Sequence, residues 1–273
     1  MEKDKLENKV IAILGGGHMG CALAEGLARG KKILPSRIWV ADPTLSKIAY
    51  LKKYGIKVTM DNSLAVRSAN VIFLAVKPVV IKEVMAEVGV LTKNRLLISV
   101  ASVPTIKRLK STAGKNQKIV RIMPNLPVKY NQGVIGFFGG NIGKTERAVI
   151  LDILSSLGVV VPLQKEKDID TIDVISACGP AITSTFIEMM VGYAKSKGMN
   201  KEIALKVIMQ VFAGTIYHLK SSDMSPNEFI QSVATKGGIT EAILKNLDEN
   251  FKKIFIQAME KGHIKTKKLN NSW

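Results

Sequence analysis

The sequence predicts a chain in two parts: an α/β half built on a doubly wound parallel sheet, followed by an all-α half. Three observations carry this. The apolar run Val10 to Leu14 ends abruptly in Gly15, Gly17 and Gly20, spaced G-x-G-x-x-G. Short apolar runs then alternate with helical stretches as far as Pro162. From Ile169 onward nearly every periodic segment reads as helix. With 273 residues, 47% hydrophobic and 23% charged, the chain is long enough for two cores. The expected division is 1–163 and 164–273.

The stretch VIAILGGGHMG reads as a buried strand, a tight turn and a helix start. The first glycine lets the chain turn, the second lets backbone approach a pyrophosphate, and the third lets the helix pack on the strand. The helix start then offers unpaired N–H groups and a positive dipole end to phosphates. A glycine-rich turn alone is weak evidence. Here a strand precedes it, a helix over Cys21 to Arg29 follows, and Asp42 closes the next strand, Arg37 to Ala41. That context makes 1–163 a dinucleotide-binding domain.

Further strands are expected at Lys57 to Met60, Val71 to Val76, Leu96 to Ala101 and Lys118 to Met123. Val134 to Phe138 and Val159 to Leu163 flank a helix over Lys144 to Leu157. Ligands of such sheets lie outside the carboxyl ends of the strands. The segments GGGHMG, ADP, DNS, AVKP, VAS and MPN that follow the strands should therefore cluster in space.

In the second half, helices are expected over Pro180 to Lys197, Lys201 to Leu219, Pro226 to Ala234 and Glu241 to about Lys261. Ser225-Pro226-Asn227-Glu228 supplies an N-cap, a first-turn proline and a capping box. Phe186, Met189, Met190 and Tyr193 share one helix face, while Ile208, Val211, Phe212, Thr215 and Ile216 line the next helix. So much apolar helix in so short a segment predicts a partner chain, and a homodimer is expected. The loop ATKGGITE, Ala234 to Glu241, leads into a helix whose free N–H groups can hold a carboxylate. On local sequence alone a plain turn with Thr240 as N-cap is the favoured reading.

Forty Lys and Arg against 22 Asp and Glu give a net charge of +18, which attracts anionic cofactors and substrates. Nucleic-acid binding is the other use of such charge. It is disfavoured because the basic residues are spread along the chain, aromatics are few, and no nucleic-acid-binding motif appears. The tail lysines, Lys261, Lys265, Lys267 and Lys268, read as a solvated, partly frayed end. Cys21 and Cys178 lack disulfide or zinc spacing and are expected to be buried thiols. No apolar run reaches the ~18 residues of a membrane helix, and the charged start MEKDKLENK does not resemble a signal peptide, so a cytoplasmic protein without a membrane anchor is expected. His18, His218 and His263 read as non-catalytic, and no metal site is expected.

Taken together, the glycine loop, AVKP at Ala75 to Pro78, RIMPN at Arg121 to Asn125, SACGPA at Ser176 to Ala181 and VATKGGIT at Val233 to Thr240 fall in an ordered set. The set resembles the pyrroline-5-carboxylate reductase family from about Lys9 to Lys261. The resemblance implies a Rossmann-type N-terminal domain and a helical C-terminal domain, 164–273, that interleaves with a second subunit and binds substrate, with dimers assembling into rings. It implies NAD(P)H-dependent reduction of 1-pyrroline-5-carboxylate to L-proline. The cofactor contacts it implies are Gly15, Gly17, His18, Met19, Gly20, Asn62, Ala75, Val76, Lys77, Pro78, Val100, Ala101 and Ser102, with Pro124 and Asn125 after the next strand. The substrate carboxylate falls on Gly237, Gly238, Ile239 and Thr240, the Thr240 hydroxyl faces the ring nitrogen as the catalytic group, and Asp223 is an acidic neighbour. Hydride transfer to a protonated cyclic imine needs orientation and water exclusion rather than a metal or a nucleophile, in keeping with the absence of a His, Cys or paired-carboxylate constellation.

The departures from the family pattern are Leu126 in MPNLP, Ala177 and Cys178 in SACGPA, and Lys236 and Ile239 in TKGGIT. The last two motifs look like those of a late-competence paralogue of this reductase. A paralogue acting on another cyclic imine, or a nucleotide-binding regulator, is therefore the alternative. Asp42 ends the second strand, where a carboxylate accepts ribose hydroxyls and repels a 2′-phosphate. It leans the choice between NADPH and NADH modestly toward NADH, with Lys47 as a partial offset.

Overall fold

In a computed structural model of the chain, residues 9–140, 142–247 and 249–271 are described. Strands β1 (Ile11–Leu14), β2 (Ile38–Ala41), β3 (Lys57–Thr59), β4 (Val71–Leu74), β5 (Leu96–Ser99), β6 (Lys118–Pro124), β7 (Gly133–Phe138) and β8 (Gly158–Pro162) form one sheet. Their order is β3-β2-β1-β4-β5-β6-β7-β8. The order turns back between β1 and β4, which opens a crevice at their carboxyl ends.

The sheet is parallel except where β7 runs antiparallel to β6. A parallel crossover takes a dozen or more residues, and the link over residues 125–132 is too short for one. The next link carries α6 (Lys144–Ser155), and β8 again runs parallel to β7. The wholly parallel sheet expected from the alternation thus gains one reversed pair.

Strands β1, β4 and β5 are buried at every residue, as both-side coverage requires. Ile11 and Ile13 point into a core with Leu23 and Leu27 of α1 (His18–Arg29) and Ile150 and Leu154 of α6. Ala12 and Leu14 point the other way, toward Val66 of α3 (Asn62–Arg67, which follows the four-residue α2, Leu45–Ile48), Val84 of α4 (Ile81–Val88) and Leu109 of α5 (Ile106–Ala113). This period-two alternation holds the two helical layers apart on one sheet, and each buried aliphatic side chain contributes about 1.5–3 kcal/mol.

By secondary structure the chain becomes helical after β8, but packing divides it later. One compact unit runs to Pro180 and resumes at Gly262; the other is Ala181–Lys261. The turn α7 (Asp168–Ile172) stays with the sheet because Ile169 and Ile172 pack on Met123. The helix expected over Glu241 to Lys261 is instead two, α11 (Ile239–Asn246) and α12 (Glu249–Asn271). The last turns of α12 belong to the first unit. Thr266 is buried there, Asn270 Nδ2 donates to Asp170 Oδ1 at 3.2 Å, and the Arg108 guanidinium donates to the Asn270 carbonyl. The tail lysines are exposed, as expected, on a helix that is packed rather than frayed. Cys21 is buried but Cys178 is exposed, contrary to expectation, because it sits where the π-turn Asp173–Ala177 hands over to the next helix.

The second unit comprises α8 (Gly179–Ser196) from Ala181 on, α9 (Lys201–Ser221), α10 (Pro226–Val233), α11 and the first part of α12. Its own core is small: Val191, Ala204 and Ile208, with Ile187 and Phe212 beside them. Met189 is 59% exposed and Tyr193 67%, and with Met190, Met199 and Val207 they line an apolar groove of about 350 Å³. The helical run Asp168–Ser196 has a mean hydropathy of 1.5 over its best window, of which 11% is buried. It is long and apolar enough to cross a membrane by length and composition, which corrects the expectation that no segment reaches that mark.

Helix α1 lies against the turn Leu126–Tyr130 with no room for a side chain. A Cβ on Gly26 would sit 2.2 Å from the Val128 carbonyl oxygen. The Gly26→Ala variant is expected to lose about 1–3 kcal/mol of stability. A thermal melt should show Tm lower by several degrees.

Candidate functional site

The glycine loop has the geometry its spacing demands. Gly15 has φ +105°, and a Cβ there would lie 2.6 Å from the Ala75 carbonyl oxygen. A Cβ on Gly20 would lie 1.9 Å from the Gly15 carbonyl, so only glycine lets α1 start this close to β1. Gly17, the N-cap of α1, is the contrast: a Cβ there would meet nothing within 4 Å. The loop is closed against the protein at two glycines and open at the third, Gly17, just ahead of the α1 amides that have no intrahelical acceptor. An anionic pyrophosphate fits that cradle.

Gly16, not singled out from sequence, matters as much. Its N–H donates to Asp42 Oδ2 at 2.8 Å, and a Cβ would meet Ile48 Cγ2 at 2.1 Å. The Asp42 carboxylate also accepts the Thr44 N–H at 2.8 Å, which fixes it at the end of β2. Its signal is the middle glycine of GGG.

The parallel strands bring the expected segments to one edge. Gly15 N–H donates to the Ala41 carbonyl and Ala75 N–H to that of Leu14, both at 2.8 Å; Val100 N–H donates to that of Leu74 at 3.2 Å. Val76 and Pro78 are half-buried and Lys77 exposed in the turn after β4. Ala101 is buried and Ser102 half-buried after β5. His18 is exposed and Met19 half-buried on the first turn of α1. Asn62 Nδ2 donates to Glu87 Oε2 at 2.7 Å. Pro124 closes β6, and Asn125 is occupied structurally: its Oδ1 accepts the Val134 N–H at 2.9 Å and its Nδ2 donates to the Ser176 carbonyl at 3.3 Å.

Beside the loop and along α1 lies a cavity of about 740 Å³ lined by Gly17, His18, Glu25, Lys47, Leu126 and Lys129 among others. Glu25 is 1% exposed. Its Oε1 accepts the Tyr50 hydroxyl at 2.8 Å and Lys129 Nζ at 3.2 Å, while Oε2 has no partner. Burial pushes this carboxyl up, but hydrogen bonds from Tyr50, Lys129 and Tyr54 outweigh it and hold the group below the usual carboxylate range. Burial pushes the Cys21 thiol up, and its Sγ donates to the Gly16 carbonyl at 3.2 Å, so it is a packed thiol rather than a nucleophile. Glu25 was not picked out from sequence, although a lone carboxylate in the apolar run ALAEGLA was its signal.

The second glycine loop lies in the other unit. Gly237 has φ +76° and Gly238, not Thr240, is the N-cap of α11. Thr240 is the second helical residue, so its hydroxyl is not the cap that a plain turn would make of it. Gly237 N–H donates to Glu241 Oε2 at 2.7 Å and Gly238 N–H to the Thr235 carbonyl at 2.9 Å. The loop thus holds a carboxylate of its own, and the Ile239 and Thr240 amides, at the start of α11, have no intrahelical acceptor. Asp223, in the link from α9 to α10, is exposed.

Family models match both parts. Residues 166–269 match the description "Pyrroline-5-carboxylate reductase dimerisation", and residues 10–103 match "NADP oxidoreductase coenzyme F420-dependent". The pyrroline-5-carboxylate reductase of Escherichia coli (strain K12) is 31% identical, with 97% of this chain and 99% of that protein covered. A Plasmodium falciparum pyrroline carboxylate reductase crystal structure with NADP bound aligns with TM-score 0.89 at 29% identity, covering 97% of this chain and 99% of that one. The pyrroline-5-carboxylate reductase structure from Coxiella burnetii aligns with TM-score 0.87 at 30% identity, covering 96% and 98%.

The Glu25 network gives a pH signature. A carboxyl whose folded pKa lies below its unfolded value adds stability above the unfolded value, and that contribution is lost as pH falls through the folded one. The Tm gap between wild type and Glu25→Gln is therefore expected to be largest near pH 7 and to shrink from pH 5 to pH 3. A gap that stays constant over that range refutes the assignment.

Proposed function

The chain belongs to the pyrroline-5-carboxylate reductase family, and on that premise we propose that it reduces 1-pyrroline-5-carboxylate to L-proline with NADPH or NADH, the last step of proline biosynthesis. The observation that carries this is the glycine cradle, closed at Gly15 and Gly20 and open at Gly17. A bound dihydronicotinamide supplies the hydride. The chain's own residues bind, orient and exclude water. Amides at the start of α1 would hold the pyrophosphate, and the turns at residues 75–78 and 100–102, with Asn62, would contact the rest of the cofactor.

We assign the substrate carboxylate to the Ile239 and Thr240 amides at the positive end of α11, with Gly237 and Gly238 shaping the loop. The Thr240 hydroxyl accepts the N–H of the protonated ring nitrogen, which keeps the carbon–nitrogen double bond electrophilic. Asp223 is assigned as an acidic neighbour that favours the cation. Asp42, fixed by two backbone amides, faces the adenosine ribose and favours NADH, with Lys47 offsetting it in part.

The helical half is a dimerisation domain. The exposed apolar faces of α8 and α9 are best explained by a second copy, which also accounts for the apolar run Asp168–Ser196 without a lipid phase. We further assign a ring of such dimers and a cytoplasmic location.

A steady-state assay with both cofactors against pyrroline-5-carboxylate and pyrroline-2-carboxylate tests the reading. Turnover of the first imine is expected, and Thr240→Ala should lower kcat about 10- to 100-fold with the fold retained, as for one lost hydrogen bond to a charged group. Cofactor binding without turnover of either imine would establish a nucleotide-binding regulator instead. In the same assay Asp42→Ser should shift the NADPH to NADH ratio of kcat/KM upward roughly tenfold, equivalent to ~1.4 kcal/mol. A wild-type preference for NADPH of that size overturns the lean to NADH.

A further inference from the structure

Arg121, in the middle of β6, is 1% exposed, a burial that arginine rarely reaches unless paired. Its Nη1 donates to Glu166 Oε1 at 2.9 Å and its Nη2 to the Ser102 carbonyl. The same Glu166 oxygen accepts the Ile106 N–H at 2.6 Å, at the first residue of α5. One ion pair thus ties β6, the link after β8, the start of α5 and the turn after β5.

A buried ion pair is seldom the best way to stabilise a core, since apolar residues of equal volume often do as well. What the planar guanidinium adds is direction, because it holds two acceptors at a fixed angle. Here one acceptor is the backbone of a turn assigned above to the cofactor.

We propose that Arg121 and Glu166 are positioning residues for cofactor binding, the guanidinium gripping the Ser102 carbonyl so that residues 100–102 keep their place at the carboxyl edge of the sheet. The proposal rests on the reading of those three residues as cofactor contacts. Neither side chain is among the groups assigned above to the cofactor or the substrate. Their loss therefore acts on cofactor affinity and leaves the chemical step intact.

The test uses full-length Glu166→Ala, Glu166→Gln and Arg121→Lys. Glu166→Ala removes the acceptor. Glu166→Gln keeps a carbonyl oxygen for the Ile106 N–H and for Arg121. Arg121→Lys keeps the charge but not the fork. Glu166→Ala and Arg121→Lys should raise KM for NAD(P)H, and Kd from a cofactor titration without imine, by about 10- to 100-fold, as expected for a charged hydrogen bond. At saturating cofactor kcat should stay within about threefold and the imine KM should not move, and Glu166→Gln should recover most of the affinity.

Amide hydrogen exchange over residues 100–106 without cofactor gives a second readout. It should quicken in Glu166→Ala and Arg121→Lys and stay near wild type in Glu166→Gln. Unchanged exchange and unchanged cofactor KM in folded variants overturn the proposal, as does a parallel loss of kcat and of both affinities. If Glu166→Ala does not fold, Arg121→Lys with a near-wild-type melt decides it. Wild-type protein that turns over no imine, with the exchange pattern as expected, faults the assigned reaction and not the clamp.

Discussion

No atom fits between the first turn of α1 and the end of β1. A side chain at Gly20 would overlap the Gly15 carbonyl, and one at Gly15 the Ala75 carbonyl. This forced closeness of helix, strand and the neighbouring turn makes the rest possible. It brings the free amides of a helix start to the edge of the sheet beside its switch point, where a phosphate can reach backbone without meeting a side chain. Gly16 adds to it by leaving its amide to Asp42, so that the turn is locked to the end of β2 as well.

Around that edge the protein uses buried polar groups to fix positions. Glu25 pins α1 to Tyr50 and Lys129, and Asn125 spans from β7 to the Ser176 carbonyl with both ends of its amide. Arg121 reaches from β6 to the turn after β5. Each is a costly group to take out of water and is retained where two or three segments must keep a relative position. Most of the large positive charge sits on exposed lysines away from these networks.

The helical unit follows another principle. Its core is three residues with a few neighbours, while methionines, valines, isoleucines and tyrosines of α8 and α9 stand in solvent. Such a surface is stable in water only when covered, and the match of residues 166–269 to a dimerisation family fits cover by a second copy. The second glycine loop, on its own helix start, again combines a left-handed glycine with amides that lack an intrahelical acceptor, and Glu241 accepts the Gly237 N–H there.

Most elements and the fold class are legible in local sequence. Glycine spacing, apolar runs and caps act within a few residues, so the strands, the two glycine loops and the helix starting at Pro226 could be read directly. What it left open depended on distant partners. The reversal of β7 came from the length of a loop measured against the sheet. The return of α12 to the first unit rests on Asn270 meeting Asp170 and Arg108, 100 and 162 positions away. The break between α11 and α12 and the capture of the Gly237 and Gly238 amides within their own loop were likewise invisible to periodicity. Glu25 and Arg121 carried ordinary signals, a carboxylate in an apolar helix and an arginine in an apolar strand, yet only the tertiary structure supplied the hydroxyl, ammonium, carboxylate and carbonyl that make burying them tolerable. Local backbone preference is written in neighbouring residues; the satisfaction of a buried charge is decided by whatever the fold brings to it.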